Sequence, residues 1–366
     1  MKNRDIAQQR LKNQRLSSPD FKKPAEVVHW LGAVQAQDYY AARWALGLRM
    51  LAATDQAIEK AFAAGEILRT HVMRPTWHFV SPADIRWLLK LTAPRVNAAC
   101  KYHYRKLELD EAVFKRTNKA ITKALQGGKQ LTRESLRSAV QRAGVPVADL
   151  LRFTHILLRA ELDGVICSGG RQGKQFTYAL LEERVPQTKA PTREQALADL
   201  TRRYFNSHGP ATLPDFVWWS GLTVRDASSG LDLVQRHFLK ELIDGKTYWH
   251  SGAVLPAKHA SHVTHLLPQF DEYLVSYKDR SAAFEANNNK ERPRANTILG
   301  PVIVIGGRVV GTWKRWLAGD SVRIALNYFA PVSKAESQLV AEAADRYGTF
   351  LGLTVVLETT TSPTSH

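Results

Sequence analysis

The chain has 366 residues, 44% hydrophobic and 23% charged, which excludes wholesale disorder and leaves room for two or three compact domains. Lys and Arg number 51 against 34 Asp and Glu, a net charge of +17; such a field draws polyanions, nucleic acid first, although many basic proteins bind none. Cys100 and Cys167 have neither metal-ligand nor C-x-x-C spacing, no stretch approaches the ~20 apolar residues of a membrane span, and the charged start lacks an apolar signal core. The expectation is a reducing, cytoplasmic chain without a zinc site.

Val27, Trp30, Leu31 and Val34 recur at helical spacing, and a second helix starts at Thr54, an N-cap residue, and ends at Gly65. EILRTHVMRPTWHFVSP then alternates bulky and polar residues around Arg74-Pro75, predicting two strands before the next helix begins at Ser81. Helices followed by a β-hairpin describe a winged helix, and residues 1–110 are assigned to a first such module. Residues 111–188 repeat the pattern: NKAITKALQ, a helix from Thr132, another ending at Gly164, then VICS and QFTYAL around a glycine-rich tip carrying Arg171 and Lys174. After the linker VPQTKAPT, a third module, 189–258, offers a helix from Thr192 to about His208, the segment GPATLPDFVWWSGL and the strand-like KTYWHSGAV. No strict sequence period relates the three.

From about residue 259 the texture changes to strands: HVTHLLP, EYLVSY, VIVIGGRVVGTWKRW, SVRIALNYF and a final LTVVLE, with one helix from Ser333 to about Tyr347. Gly306-Gly307 marks a tight hairpin turn. The fold class is thus α+β, tandem winged-helix (helix-turn-helix) modules followed by a C-terminal β-barrel-like domain, 259–366. A long polar loop, 278–294, carries Lys278, Arg280, Arg292 and Arg294, which with Arg171 and Lys174 are candidates for phosphate contacts. Trp218, Trp219, Trp313 and Trp316 are base-stacking or core residues.

The segment LGAVQAQDYY carries the most informative local pattern. Two residues apart on a helix lie on nearly opposite sides, so Gln35 and Gln37 point the same way only if the chain becomes extended there. A pair of neutral amides accepts and donates hydrogen bonds but takes no proton, so it can orient one water without acting as a strong base. That suffices where the leaving group departs readily, as an N7-alkylated guanine does, and Asp38 would stabilise the developing oxocarbenium charge. On the residues alone, QAQD is also the pattern of a polar helix end. Arg74, Thr76 and His78, at i, i+2 and i+4, would share one face of the first wing strand and meet DNA, with Arg69 and His71 on the strand before; His78 is alternatively a satisfied structural histidine.

VQAQD, the strands around RPTWHFV, GPATLPDFVWWSGL, LLPQFDEYLVSYKDR and GGRVVGTWKR occur in the order in which the AlkZ/YcaQ-like DNA glycosylases carry their counterparts, and the chain resembles that family over nearly its whole length. The resemblance implies tandem winged helices and a β-barrel forming a concave basic surface, and excision of bulky N7-alkylpurines, interstrand crosslinks included. The family's Gln-aliphatic-Gln motif falls on Gln35, Ala36 and Gln37, closer to the branch with Gln at the third place than to the one with Asp. Gln37 would hold the water and Gln35 support it. The expected partner is double-stranded DNA with alkylated purines, bound by a monomer at the nucleoid with no metal or redox cofactor. The rival reading is a non-catalytic winged-helix DNA-binding protein or transcription regulator.

Overall fold

The computed structural model describes residues 3–187, 189–252, 263–284 and 300–359; Arg292 and Arg294 lie outside them. It is a mixed α/β structure in which one order of elements recurs. The N-terminal part has α1 (Asn3–Asn13), α2 (Pro24–Leu31), β1 (Val34–Gln35), α3 (Tyr39–Gly47), α4 (Asp55–Ala64), β2 (Leu68–His71) and β3 (Trp77–Val80). Its three strands form an antiparallel sheet in the order β1-β3-β2. The long α5 (Ile85–Lys106) leads to α6 (Glu111–Leu125), β4 (Leu131–Thr132), α7 (Arg133–Arg142), α8 (Leu150–Leu162), β5 (Ile166–Gln172) and β6 (Gln175–Leu180), with the equivalent sheet order β4-β6-β5.

The short α9 (Leu181–Arg184) precedes a third run: α10 (Arg193–His208), α11 (Leu213–Ser220), α12 (Val224–Val234), β7 (Leu239–Ile243) and β8 (Lys246–His250). Here a bridge at Ala211, bonded both ways to Trp249 at 3.1 and 2.8 Å, stands where the short strand stands in the first two. Local chemistry sets the boundaries. Asp38, Thr54, Asp110, Thr132, Asp149, Thr192 and Thr212 each cap the backbone N–H groups of the helix that follows.

The C-terminal part comprises β9 (Thr264–Leu267), α13 (Glu272–Val275), β10 (Val302–Ile305), β11 (Arg308–Ala318), β12 (Ser321–Tyr328), α14 (Lys334–Leu351) and β13 (Thr354–Thr359). Its strands form one sheet ordered β13-β12-β11-β10-β9, antiparallel except for β12–β13, whose parallel crossover is α14. Among the described residues β9 and β13 do not pair with each other. The segment EYLVSY, expected as a strand for its aromatic and β-branched residues, is instead a helical turn: Asp271 accepts the Tyr273 N–H at 2.9 Å and starts a helix.

The apolar cores cut across the chain order. Leu68, Val72 and Val80 belong to a cluster with α5 to α8 and α10 to α12. Val34, Ala36 and Phe79 belong to a second cluster with Leu266, Leu274, Val304 and Tyr347 of the C-terminal part. The sheet β1-β3-β2 is therefore covered on both faces, which explains the unbroken burial of Leu68–His71. Trp44 of α3 packs against Tyr347 and Phe350 of α14, with centroids 5.0 and 4.9 Å away, and donates to the Leu266 carbonyl. Each such aromatic pair adds about 0.5–1.5 kcal/mol beyond its buried area. Arg49, fully buried, clamps Asp271 with two 2.9 Å hydrogen bonds and so fixes α13 to the N-terminal part.

Candidate active site

Helix α2 stops one turn before Val34 because Gly32 takes φ 83°, a left-handed conformation in which a side chain is strained. The chain then runs extended as β1, with Val34 opposite Phe79 and Gln35 opposite His78, and the ladder continues one step as the Ala36 N–H donates to the Trp77 carbonyl at 2.7 Å. Asp38 ends the extended stretch by capping α3 through the Ala41 N–H at 3.0 Å. Ala36 is buried, and both glutamine side chains reach the 74–77 loop. Gln35 accepts from Arg74 Nη2 at 2.9 Å, and Gln37 accepts from the Trp77 N–H at 3.3 Å.

The two amides differ in exposure. Gln35 is buried, whereas Gln37 and Asp38 are exposed beside it, so one amide is locked within the protein and the other faces solvent. Asp38 also borders a recess of about 70 Å³ with Tyr40, Trp313, Arg315 and Tyr347. The loop holding Arg74 is fixed from the other side by Gly221. The Met73 carbonyl approaches so closely that a Cβ at residue 221 would lie 2.2 Å from it.

Behind Gln35 stands Glu272, which the sequence did not single out. Its Oε1 accepts the Gln35 N–H at 2.7 Å, and its Oε2 accepts Trp219 Nε1 at 3.0 Å and the Ser276 hydroxyl. His208 Nε2 lies 3.6 Å away, too far for a hydrogen bond. Burial pushes the Glu272 carboxyl up, but His208, Ser276 and the Gln35 N–H outweigh it and hold it at about 2. The signal available was two adjacent acids, Asp271 and Glu272, inside an otherwise apolar run; buried carboxylates require partners.

Several expected DNA contacts point inward. His78 is fully buried, its Nδ1 2.9 Å from the Thr76 carbonyl, and burial with the nearby Arg74 lowers it to about 3. Its ring is enclosed by the protein and not presented at the surface, and its Nε2 is buried without a hydrogen-bond partner. Arg74 and Thr76 precede β3, which begins at Trp77, so the three residues do not share a strand face; both are half-buried. Arg69 is buried between the Trp77 and Phe176 rings, 4.2 and 4.8 Å from their centroids, and its Nε donates to the Ala36 carbonyl at 2.9 Å. It therefore holds the backbone of the glutamine segment.

Arg171 donates to Glu59 at 3.1 Å and to the Tyr40 hydroxyl at 3.2 Å, tying the second hairpin to the first unit. Arg280 is buried, with Nε 2.8 Å from the Leu274 carbonyl, and is not a surface contact. Lys174 and Lys278 are exposed. Lys174 lines a cleft of about 420 Å³ together with Arg69, Trp77, Arg133 and Phe176, and through Trp77 this cleft adjoins Gln37. His71 lies behind it, paired with Glu161 and with its ring centroid 4.3 Å from that of Trp77, the two planes tilted by 40°. Trp219 and Trp313 are core residues, while Trp218 and Trp316 are exposed. Among the described residues no group of three His, Cys, Asp or Glu side chains is placed to hold a metal, and no helix is long and apolar enough to cross a membrane.

Gln37 and Asp38 are thus exposed, with Gln35 buried behind them, and Gln37 touches Trp77, which lines a cationic, aromatic cleft. Residues 28–350 match the family model described as DNA glycosylase AlkZ-like. The chain belongs to the AlkZ-like DNA glycosylase family, hydrolases acting on N-glycosyl bonds. One relative, the interstrand DNA cross-link repair glycosylase of Streptomyces sahachiroi, is 25% identical over 332 residues, covering 85% of this chain and 87% of that protein. The solved structure of Streptomyces sahachiroi DNA glycosylase AlkZ matches 98% of this chain and 99% of its own with a TM-score of 0.77 at 20% identity, a likeness of fold.

Proposed function

We propose that the protein hydrolyses the N-glycosyl bond of bulky N7-alkylated purines in duplex DNA and unhooks interstrand crosslinks, with Gln37 orienting the attacking water. The observation that carries this reading is the split character of the pair: Gln35 is locked by Arg74, while Gln37 stays exposed with its carbonyl oxygen only partly used by Trp77. A carbonyl oxygen has two lone pairs. The second accepts a hydrogen bond from water and turns the water oxygen toward the anomeric carbon, the water's proton passing to solvent as the C–O bond forms and the purine leaves. The departing purine already carries positive charge, so positioning replaces strong base catalysis. Asp38, exposed next to Gln37, offers a negative charge to the oxocarbenium-like sugar.

The recurrence of helix, short strand or bridge, two helices and hairpin supports reading the first three segments as winged helices, 1–110, 111–188 and 189–258. On this view the 259–366 sheet, read as barrel-like, completes a concave face that holds duplex through exposed cations such as Lys174 and Lys278. The protein acts at the nucleoid as a monomer. The test is to incubate the protein with duplexes carrying one 7-methylguanine or one nitrogen-mustard crosslink and to reveal abasic sites by alkaline cleavage. Cleavage at the adduct and none in unmodified duplex is expected. No abasic product from either adduct, with DNA binding retained, would leave a binding protein without chemistry.

A further inference from the structure

We infer that Glu272 is a positioning residue for the reaction, acting through Gln35 to hold the glutamine segment extended; this rests on the glycosylase reading above. Strand β1 is two residues long and pairs only with β3. In an antiparallel pair, successive N–H groups point alternately toward and away from the partner strand. The Ala36 N–H points inward, to Trp77, and the Gln35 N–H points outward into the protein. Without an acceptor, this buried donor would favour another backbone path. Glu272 supplies that acceptor, 237 residues away in sequence.

Charge matters as well as shape. Glu272 uses both oxygens, one on Gln35 and the other on Trp219 and Ser276. An amide of the same size has one accepting oxygen, so its NH₂ must face either the Gln35 N–H or the donors on the other side. Glu272 is itself fixed, because it follows Asp271, the residue clamped by Arg49. The carboxylate also attracts the Arg74 guanidinium that grips the Gln35 side chain. A shift of about 1 Å at such a site slows a reaction by about 100-fold.

Single-turnover excision of 7-methylguanine from duplex is measured for the wild type, Glu272→Gln, Gln37→Ala and the double variant, with DNA affinity read by fluorescence anisotropy. Glu272→Gln should slow the excision step about 10- to 100-fold and leave the Kd within about twofold. In the Gln37→Ala background it should add less than about threefold, because a residue acting through the segment has nothing left to position. A merely structural role lowers the folded fraction and multiplies with Gln37→Ala. Ser276→Ala, which keeps the charge and removes one donor, should slow excision several-fold and serves if Glu272→Gln does not fold. A Glu272→Gln or Ser276→Ala rate equal to that of an active wild type, or multiplicative effects, overturns the inference alone. A wild type that acts on neither 7-methylguanine nor the nitrogen-mustard crosslink overturns the glycosylase reading and this inference with it; if it acts only on the crosslink, the same four proteins are compared on that substrate.

Discussion

Arg49 offers the sharpest test of how the site is held. Its guanidinium is fully buried and donates to both Asp271 oxygens at 2.9 Å, to Gln14 Oε1 at 2.9 Å and to the Ala45 carbonyl at 2.7 Å. Arg49→Met preserves much of the bulk and removes all four bonds. Breaking a buried ion pair from one side strands the other charge and costs about 3–5 kcal/mol. Unfolding entropy near 2.1 cal/mol/K per residue gives roughly 0.8 kcal/mol/K for a chain of 366 residues. A loss of about 4 kcal/mol therefore lowers the calorimetric midpoint by about 5 °C. Adding Asp271→Asn, which keeps an oxygen for the Tyr273 N–H but removes the stranded charge, should restore at least half the loss. An Arg49→Met variant within about 1 kcal/mol of wild type, or a double variant less stable than the single, would refute the argument that the pair is a buried clamp.

The surface cations predict salt dependence: Lys174→Ala and Lys278→Ala should each reduce the slope of log K against log salt for duplex binding by about one. Arg280→Met should leave that slope unchanged because its guanidinium faces the Leu274 carbonyl. Acid sensitivity follows from His78 and His265, both buried and lowered to about 3. The unfolded chain binds these protons near pH 6.5 and the folded chain does not, so their contribution is complete above pH 6.5 and is lost as pH falls toward 3. Between pH 7 and pH 5 each costs about 2 kcal/mol, measurable as a lower urea midpoint. Glu272 has the opposite sense of charge: its contribution is present above about 4.5 and lost as pH falls through 2, so it is silent across that interval.

What could be read from the sequence was what is encoded locally. Thr54 and Gly65 bound α4, Thr192 caps α10 with Gln195, and Gly306-Gly307 turns β10 into β11. The extended backbone at Gln35 was legible only as a condition: two amides that share a face require it, whereas the residues alone also fit a polar helix end. Long-range choices were not. Arg69 and Arg171 resembled phosphate ligands because nothing nearby in sequence announces the Ala36 carbonyl or Glu59 as their partners. EYLVSY had strand composition, and its helical turn depends on Asp271 held by Arg49, 222 residues earlier. Helix α1 was overlooked because its charged residues obscure Ile6, Ala7 and Leu11, all buried.

The most direct test of the whole account is the rate at which Gln37→Ala releases 7-methylguanine under single-turnover conditions at pH 7. Orientation of the attacking water by this amide predicts a fall of about 100-fold or more with duplex affinity unchanged. Release at the wild-type rate would contradict it.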